Sequence, residues 1–475
     1  MTGPYFSEED VMSTAVEPFH VSEKERIGAK IVSRLAEYFE EGSRRDLQET
    51  TILRAEVPVT GLHALPWLCG QSFPSRGYWS DRENAFELAG VGGTDVITGD
   101  SDFDYHGLMG ALHERIASAR GNPRYFGGLR FSNSGRIEHP WEYFKAYRFI
   151  LPRFEVFTSN GTTTFACNML AGEPLKTVED DFAGLVFGVT PRIELPRPVG
   201  RRDNPDRKSW RDNVTEALNS LRKREYEKIV LARKVTFSFP EAANPACLLS
   251  ILKEKTARCF HFLFQPDSRA AFVGASPESL YRRNGRTLTT EAIAGSRPRG
   301  DSRGADSVLC SELKGNEKEL REHAYVVEGI ENSLDGMCGL LVGGNHPDVV
   351  KLSRCQHLIT RFKGNLADGV TDADLLVSLH PTPAVGGFPT GPALQDIARL
   401  ESFDRGWYAG PVGWISKYGA QFAVGIRSGL CEGRRLHLFS GAGIVDGSVP
   451  DQEWEEVENK ISDFVNLLGR QETGM

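Results

Sequence analysis

Glu453, Glu456 and Lys460 are spaced at i, i+3 and i+7, so a helix beginning near Asp451 presents them on one face. Val457, Ile461, Phe464 and Leu468 form an apolar stripe beside that face, while Glu455 points the other way. Carboxylates and an ammonium at the rim of a buried stripe are costly unless a metal, a substrate or each other neutralises them. Acids in a first helical turn also simply complement the helix dipole, so the segment alone leaves both readings open. Just upstream, Gly441 and Gly443 in SGAGIV let backbone N–H groups approach a ligand closely.

Other residues add to this set. Alternation along Tyr226–Phe237 puts Ile229, Leu231, Val235 and Phe237 on a core face, leaving Lys228 with Val230 and Ala232 on a less crowded one. A partly desolvated lysine near other cations can serve as a base; a solvated surface lysine is the alternative. Glu278 follows a Ser-Pro turn in GASPESL, where Pro277 fixes the backbone and aims the carboxyl. Buried, it suits a general acid; exposed, it is an ordinary hairpin residue. In EAIAGSRPRG, Gly295 and Ser296 precede a basic cluster and form a plausible anion-binding turn. Glu319 and Glu322 flank a stripe of Val326, Ile330 and Leu334 on a helix over 316–334, with His323 inside the stripe. Two helices presenting carboxylates at apolar rims suit a hard cation such as Mg²⁺, although a structural ion-pair network has the same pattern. HPTPAVGG holds His380 and Thr382 in a proline- and glycine-bound loop, and Arg427 in FAVGIRSGL is a carboxylate-clamp candidate.

The elements that must position these residues alternate strands and helices. A helix is expected over 22–41, strand-like runs from about 50 to 167 with one helix near 108–119, and helices over 209–224 and near 245–257. Residues 1–20 read as a loose tail and Leu195–Lys208, rich in Pro, Arg and Asp, as a linker. Long antiparallel hairpins with intervening helices argue for an α+β fold rather than a doubly wound sheet. A net charge of −8 argues against a general nucleic-acid or membrane-surface role. No apolar run approaches the roughly 20 residues of a membrane span. The acidic start lacks a signal-peptide pattern, and eight cysteines without a CxxC pair fit a reducing cytoplasm.

EKIVLARK, GASPESL, EAIAGSRPRG, KELREH, HPTPAVGG, YAGPVGW, AVGIRSG and SGAGIV…EWEEVENK occur in the order and approximate spacing of the chorismate-utilising enzymes. The chain resembles the isochorismate synthases most closely, strongly over about 205–470 and more weakly through PRYFGGLRF and FILPRFEV toward the longer menaquinone-type members. The resemblance implies large antiparallel sheets stacked as a sandwich with helices outside, divided as 1–44 (tail and helix), 45–204 (β-rich) and 205–475 (catalytic region). It implies a Mg²⁺-dependent isomerisation of chorismate, feeding menaquinone, siderophore or salicylate synthesis. In it Lys228 activates water at C2 and Glu278 protonates the leaving C4 hydroxyl. Glu322 and Glu456 are the implied metal ligands, with Glu453 and Glu319 behind them or water-mediated; Gly295, Ser296, His380, Thr382, Arg427, Gly441 and Lys460 are the implied substrate-binding residues. By the resemblance, Lys228 and EAIAG in place of a PIAG sequence separate it from ammonia-using relatives, and the histidine-bearing loop separates it from both anthranilate and salicylate synthases. A salicylate synthase that goes on to eliminate pyruvate, an anthranilate-type synthase and a non-catalytic chorismate-binding relative are the rival readings. No glutamine amidotransferase partner is expected, and the chain is expected to be a monomer or weak dimer.

Overall fold

Residues 21–40, 47–188, 195–344 and 346–469 are described by the structure, a computed structural model. The expected tail at 1–20 lies outside them. Among the described residues the strands assemble into two antiparallel sheets, of 12 and 10 strands, with helices packed around them. This is the α+β sandwich expected from the hairpin-rich pattern.

Two long pairings form the frame. In the first sheet Lys228–Ser238 runs against Arg435–Ile444 in continuous register from Ile229↔Ile444 to Ser238↔Arg435. In the second, Thr287–Pro298 pairs with Cys355–Leu366, the register shifting between Ala294 and Ser296. Gly295 sits at that irregularity with φ +73, a backbone that glycine adopts without a Cβ penalty. Ala270–Ser276 belongs to the first sheet and Ser279–Asn284 to the second, so the chain crosses between sheets at Pro277–Glu278.

Each sheet draws strands from both sides of residue 204. Arg76–Ser80 pairs with Phe260–Asp267 in the first, and Arg124–Leu129 with Pro411–Ser416 in the second. The stretch expected as a linker contributes a strand of its own, Gly200–Asn204, on Lys234–Ser238. Its arginines and aspartate gain backbone pairing on one edge while their side chains stay at the surface, which a composition-based reading does not detect.

The functional helices form as their periodicity predicts. Glu317–Leu334 begins where the Asn316 side chain accepts the Glu319 N–H at 3.0 Å, and Val326, Ile330 and Leu334 are buried. Pro450–Leu467 buries Val457, Ile461 and Phe464, with Leu468 just beyond, while Glu455 stays exposed near Arg207. Helices over Arg303–Gly315, Asp372–Leu379 and Thr390–Leu400 were not anticipated. Asp372–Leu379 spans only eight residues, too few for a stripe to stand out by periodicity. Trp141, Phe144, Phe272, Trp407 and Phe439 form an aromatic core cluster with ring centroids 5.3–6.5 Å apart. Among the described residues no helix is long and apolar enough to cross a membrane.

Candidate active site

One cavity takes its walls from both sheets and from both carboxylate-bearing helices. Val230, Ser440, Gly441 and Gly443 come from the first sheet and Gly295, Ser296 and His357 from the second. Glu322, Glu456 and Lys460 come from the helices, and Glu278 from the crossing between sheets. Residues as far apart as 230 and 460 meet because the Lys228–Ser238 and Arg435–Ile444 strands are neighbours carrying the helix that follows.

Lys228 is fully buried rather than half-open, because the strand that carries it is covered on both faces. Its Nζ lies 3.1 Å from Glu322 Oε1, an ion-pair contact without hydrogen-bond alignment, and it has no aligned partner among the described residues. A buried ammonium whose hydrogen-bonding capacity is unfilled is expensive in a folded core and leaves room for another molecule's oxygen. Gly443 makes this pair possible. A Cβ there would fall 2.5 Å from Glu322 Oε1 and 3.0 Å from Lys228 Cε, so any other residue would push the pair apart.

Glu278 is buried, and among the described residues its carboxyl has one aligned partner, the Thr382 hydroxyl, which donates to Oε1 at 3.3 Å. Burial pushes its pKa up to about 8; the nearby Glu291 charge adds to this, while Thr382, Lys228 and Lys460 oppose it. At neutral pH this carboxyl carries a proton it can give away.

Glu456 answers the same cavity differently. Lys460 Nζ lies 2.6 Å from its Oε1 and also donates to the Gly441 carbonyl at 2.9 Å. Burial is the largest single influence and would raise the Glu456 pKa, but Lys460, with Lys318 and His357 adding to it, holds the carboxyl below the usual range. Glu322 and Glu456 therefore offer hard oxygen donors from two helices to one space, a set that suits a hard divalent cation. Among the described residues no group of three or more His, Cys, Asp or Glu forms a ready metal cage, so water and a bound ligand would supply the remaining donors.

The other expected site residues divide into two layers. Gly295, Ser296, Arg427, Gly441 and Lys460 line the cavity. Glu319 and Glu453 stand behind it: Glu319 accepts the Ser296 N–H at 2.9 Å and pairs with Arg297, and buried Glu453 pairs with Lys318 at 2.8 Å. The Ser296 N–H is thereby committed within the protein. Arg427 donates to the Lys460 carbonyl at 3.4 Å and to Cys355 Sγ at 3.5 Å. Thr382 acts on Glu278 rather than on the cavity wall. His380 also stands off the wall. Its Nε2 must donate to the Phe131 carbonyl at 2.9 Å, since a carbonyl can only accept, and burial lowers its pKa to about 4. Nδ1 is left as a lone pair without a partner among the described residues.

Sequence reasoning missed His357 and Tyr408, which line the cavity. His357 lies 3.1 Å from the Gly295 carbonyl and 3.2 Å from Cys355 Sγ. Tyr408 opens the YAGPVGW motif, whose residue types suggest packing rather than chemistry, and His357 stands in no motif singled out from the sequence.

The model of the chorismate binding enzyme family matches residues 37–469. The chain belongs to the chorismate-binding enzymes. It is 31% identical over 436 residues to the isochorismate synthase MenF of Haemophilus influenzae, covering 90% of this chain and 94% of that protein. It is 33% identical over 453 residues to the chloroplastic isochorismate synthase 2 of Arabidopsis thaliana, covering 88% and 80%. Among solved structures, the menaquinone-specific isochorismate synthase MenF of Escherichia coli superposes with a TM-score of 0.79 at 28% identity, covering 92% of this chain and all of that one. In this chorismate-binding enzyme strands of both sheets build the walls around Glu278.

Proposed function

We infer that this chain is an isochorismate synthase, an isomerase that converts chorismate to isochorismate. The observation that carries the reading is a fully buried lysine, ion-paired to Glu322 but without an aligned hydrogen-bond partner among the described residues, within electrostatic reach of a buried glutamic acid that holds its proton at the wall of a carboxylate- and cation-lined cavity. Isomerisation by exchange of a hydroxyl needs one group to take a proton from water and another to give one to the departing oxygen.

Lys228 Nζ accepts the proton of a water that attacks C2 of the ring. The two ring double bonds shift, and the C4–O bond breaks as Glu278 delivers its proton to that oxygen. One water enters and one leaves, so the product is an isomer of the substrate. Arg427 and Lys460 hold the carboxylates of the dianion, and Thr382 orients the Glu278 carboxyl. Mg²⁺, held by Glu322 and Glu456 together with water and substrate oxygens, would neutralise a substrate carboxylate and stabilise charge developing in the ring. Glu453 and Glu319 keep Lys318, Arg297 and the Ser296 peptide in place behind these ligands.

The test is the product profile from chorismate with Mg²⁺ and without ammonia, followed by chromatography. Isochorismate as the sole product is expected. Salicylate with pyruvate would move the chain to the salicylate synthases, and unchanged chorismate would make it a binding protein.

A further inference from the structure

The crossing that carries Glu278 is held from outside the cavity by a residue almost 200 positions earlier in the chain. Arg82 lies in the turn between the Arg76–Ser80 and Phe86–Val91 strands, in the N-terminal part of the protein. Its Nη1 donates to the Pro277 carbonyl at 2.9 Å and to Glu291 Oε1 at 2.5 Å, and its Nη2 donates to Glu291 Oε2 at 2.9 Å. Glu291 Oε1 in turn accepts the Ser279 N–H at 3.0 Å. The peptides on both sides of Glu278 are thus tied to one forked ion pair, and the Arg82 guanidinium is backed by the Phe260 ring at 5.0 Å. The Glu291 side chain is 4% exposed and that of Arg82 17%, which is far more enclosure than a surface pair needs.

We propose that Arg82 and Glu291 are positioning residues for the general acid, fixing the Pro277–Ser279 crossing so that the Glu278 carboxyl faces the substrate. The proposal rests on the reading of Glu278 as the acid. It gives the N-terminal part a role in the chemistry, although none of its residues lines the cavity. Glu291 has a second effect through its charge. The groups that act on Glu278 are Glu291 from the adjacent strand, Lys228 and Lys460 through their charges, the Thr382 hydroxyl and buried Tyr408. Of these, Glu291 is the group that favours the protonated acid, and Arg82 moderates it.

The experiment measures kcat and KM for chorismate with Mg²⁺ across pH in the full-length protein and in Arg82→Gln, Arg82→Lys, Glu291→Gln and Glu278→Gln, with Tm recorded for each. Arg82→Gln should lower kcat about tenfold or more with KM changed less than about threefold, because geometry and not binding is lost. Arg82→Lys keeps the charge without the fork and should recover part of that loss. Glu291→Gln should move the alkaline limb of kcat/KM to lower pH by about one pH unit, and Arg82→Gln should move it to higher pH. Unshifted limbs in all folded variants, or full kcat in Arg82→Gln, would overturn the proposal. If Arg82→Gln does not fold, Arg82→Lys and Glu291→Gln decide by the same limb positions. Substantial turnover by Glu278→Gln would instead overturn the reading beneath it.

Discussion

Glu278 and Glu456 line the same cavity, yet their surroundings drive them to opposite charge states. The crossing between sheets buries Glu278 with a hydroxyl as its aligned partner and another carboxylate nearby. The C-terminal helix sets Lys460 one turn beyond Glu456, within 2.6 Å, and leaves 32% of the Glu456 side chain exposed. The same side chain is a stored proton on one wall and a fixed anion on the other. What decides is the neighbouring charge: burial raises both, and cations close to Glu456, Lys460 first among them, reverse the outcome there. An acid and a cation-binding carboxylate can therefore share one small space without exchanging roles.

The largest expected effect lies on the chemistry. Glu278→Gln keeps shape and hydrogen bonding but has no proton to give, and Lys228→Ala removes the base. Each should lower kcat by at least about 10²–10⁴-fold while KM changes far less. If water attack and hydroxyl departure are coupled through these two residues, the double variant should be little worse than the poorer single one. Multiplicative losses in steady-state assays would break the pairing.

The second contrast concerns the cation. Mg²⁺ should raise the Tm of the wild-type protein by binding the folded state, and Glu456→Gln should remove that rise together with turnover. Glu278→Gln should leave the Mg²⁺-dependent rise intact, because its wall is not the metal wall. A Mg²⁺ response lost in Glu278→Gln and kept in Glu456→Gln would invert the comparison.

A smaller effect appears in stability. The folded-state pKa of Glu278 is raised to about 8 from an ordinary carboxyl value. Between those values the folded protein holds a proton that the unfolded chain has released, so its contribution falls as pH rises and levels off above about 8. Glutamine cannot ionise and removes that slope. Thermal denaturation should therefore find Glu278→Gln close to wild type near pH 4 and more stable than wild type near pH 9. Equal stability at both ends would mean that Glu278 ionises in the fold as it does in water.

The sequence made one part of this site legible and hid another. Lys228, Glu278 and the two glutamate-bearing helices sit in local patterns: a strand alternation, a Ser-Pro turn and i, i+3, i+7 spacings. The stripes Val326/Ile330/Leu334 and Val457/Ile461/Phe464 are buried as their periodicity requires. Period-2 alternation misjudged the Lys228 environment, because it cannot show that a second layer covers the polar face of a strand. His380 was expected at the cavity, but its ring is committed to Phe131, 249 residues away. The Arg82–Glu291 clamp spans 209 residues and was equally invisible. One missed helix did carry a local signal: Thr371 and Asp374 form a capping box at the start of Asp372–Leu379.

The most direct test of the two charge states is the pH dependence of kcat/KM for chorismate in the wild-type protein at saturating Mg²⁺. Activity should hold through neutrality and fall as pH rises through about 8, where Glu278 loses its proton. A rate that stays level well above pH 8, or one that falls as pH rises through the ordinary carboxylate range, would contradict the account.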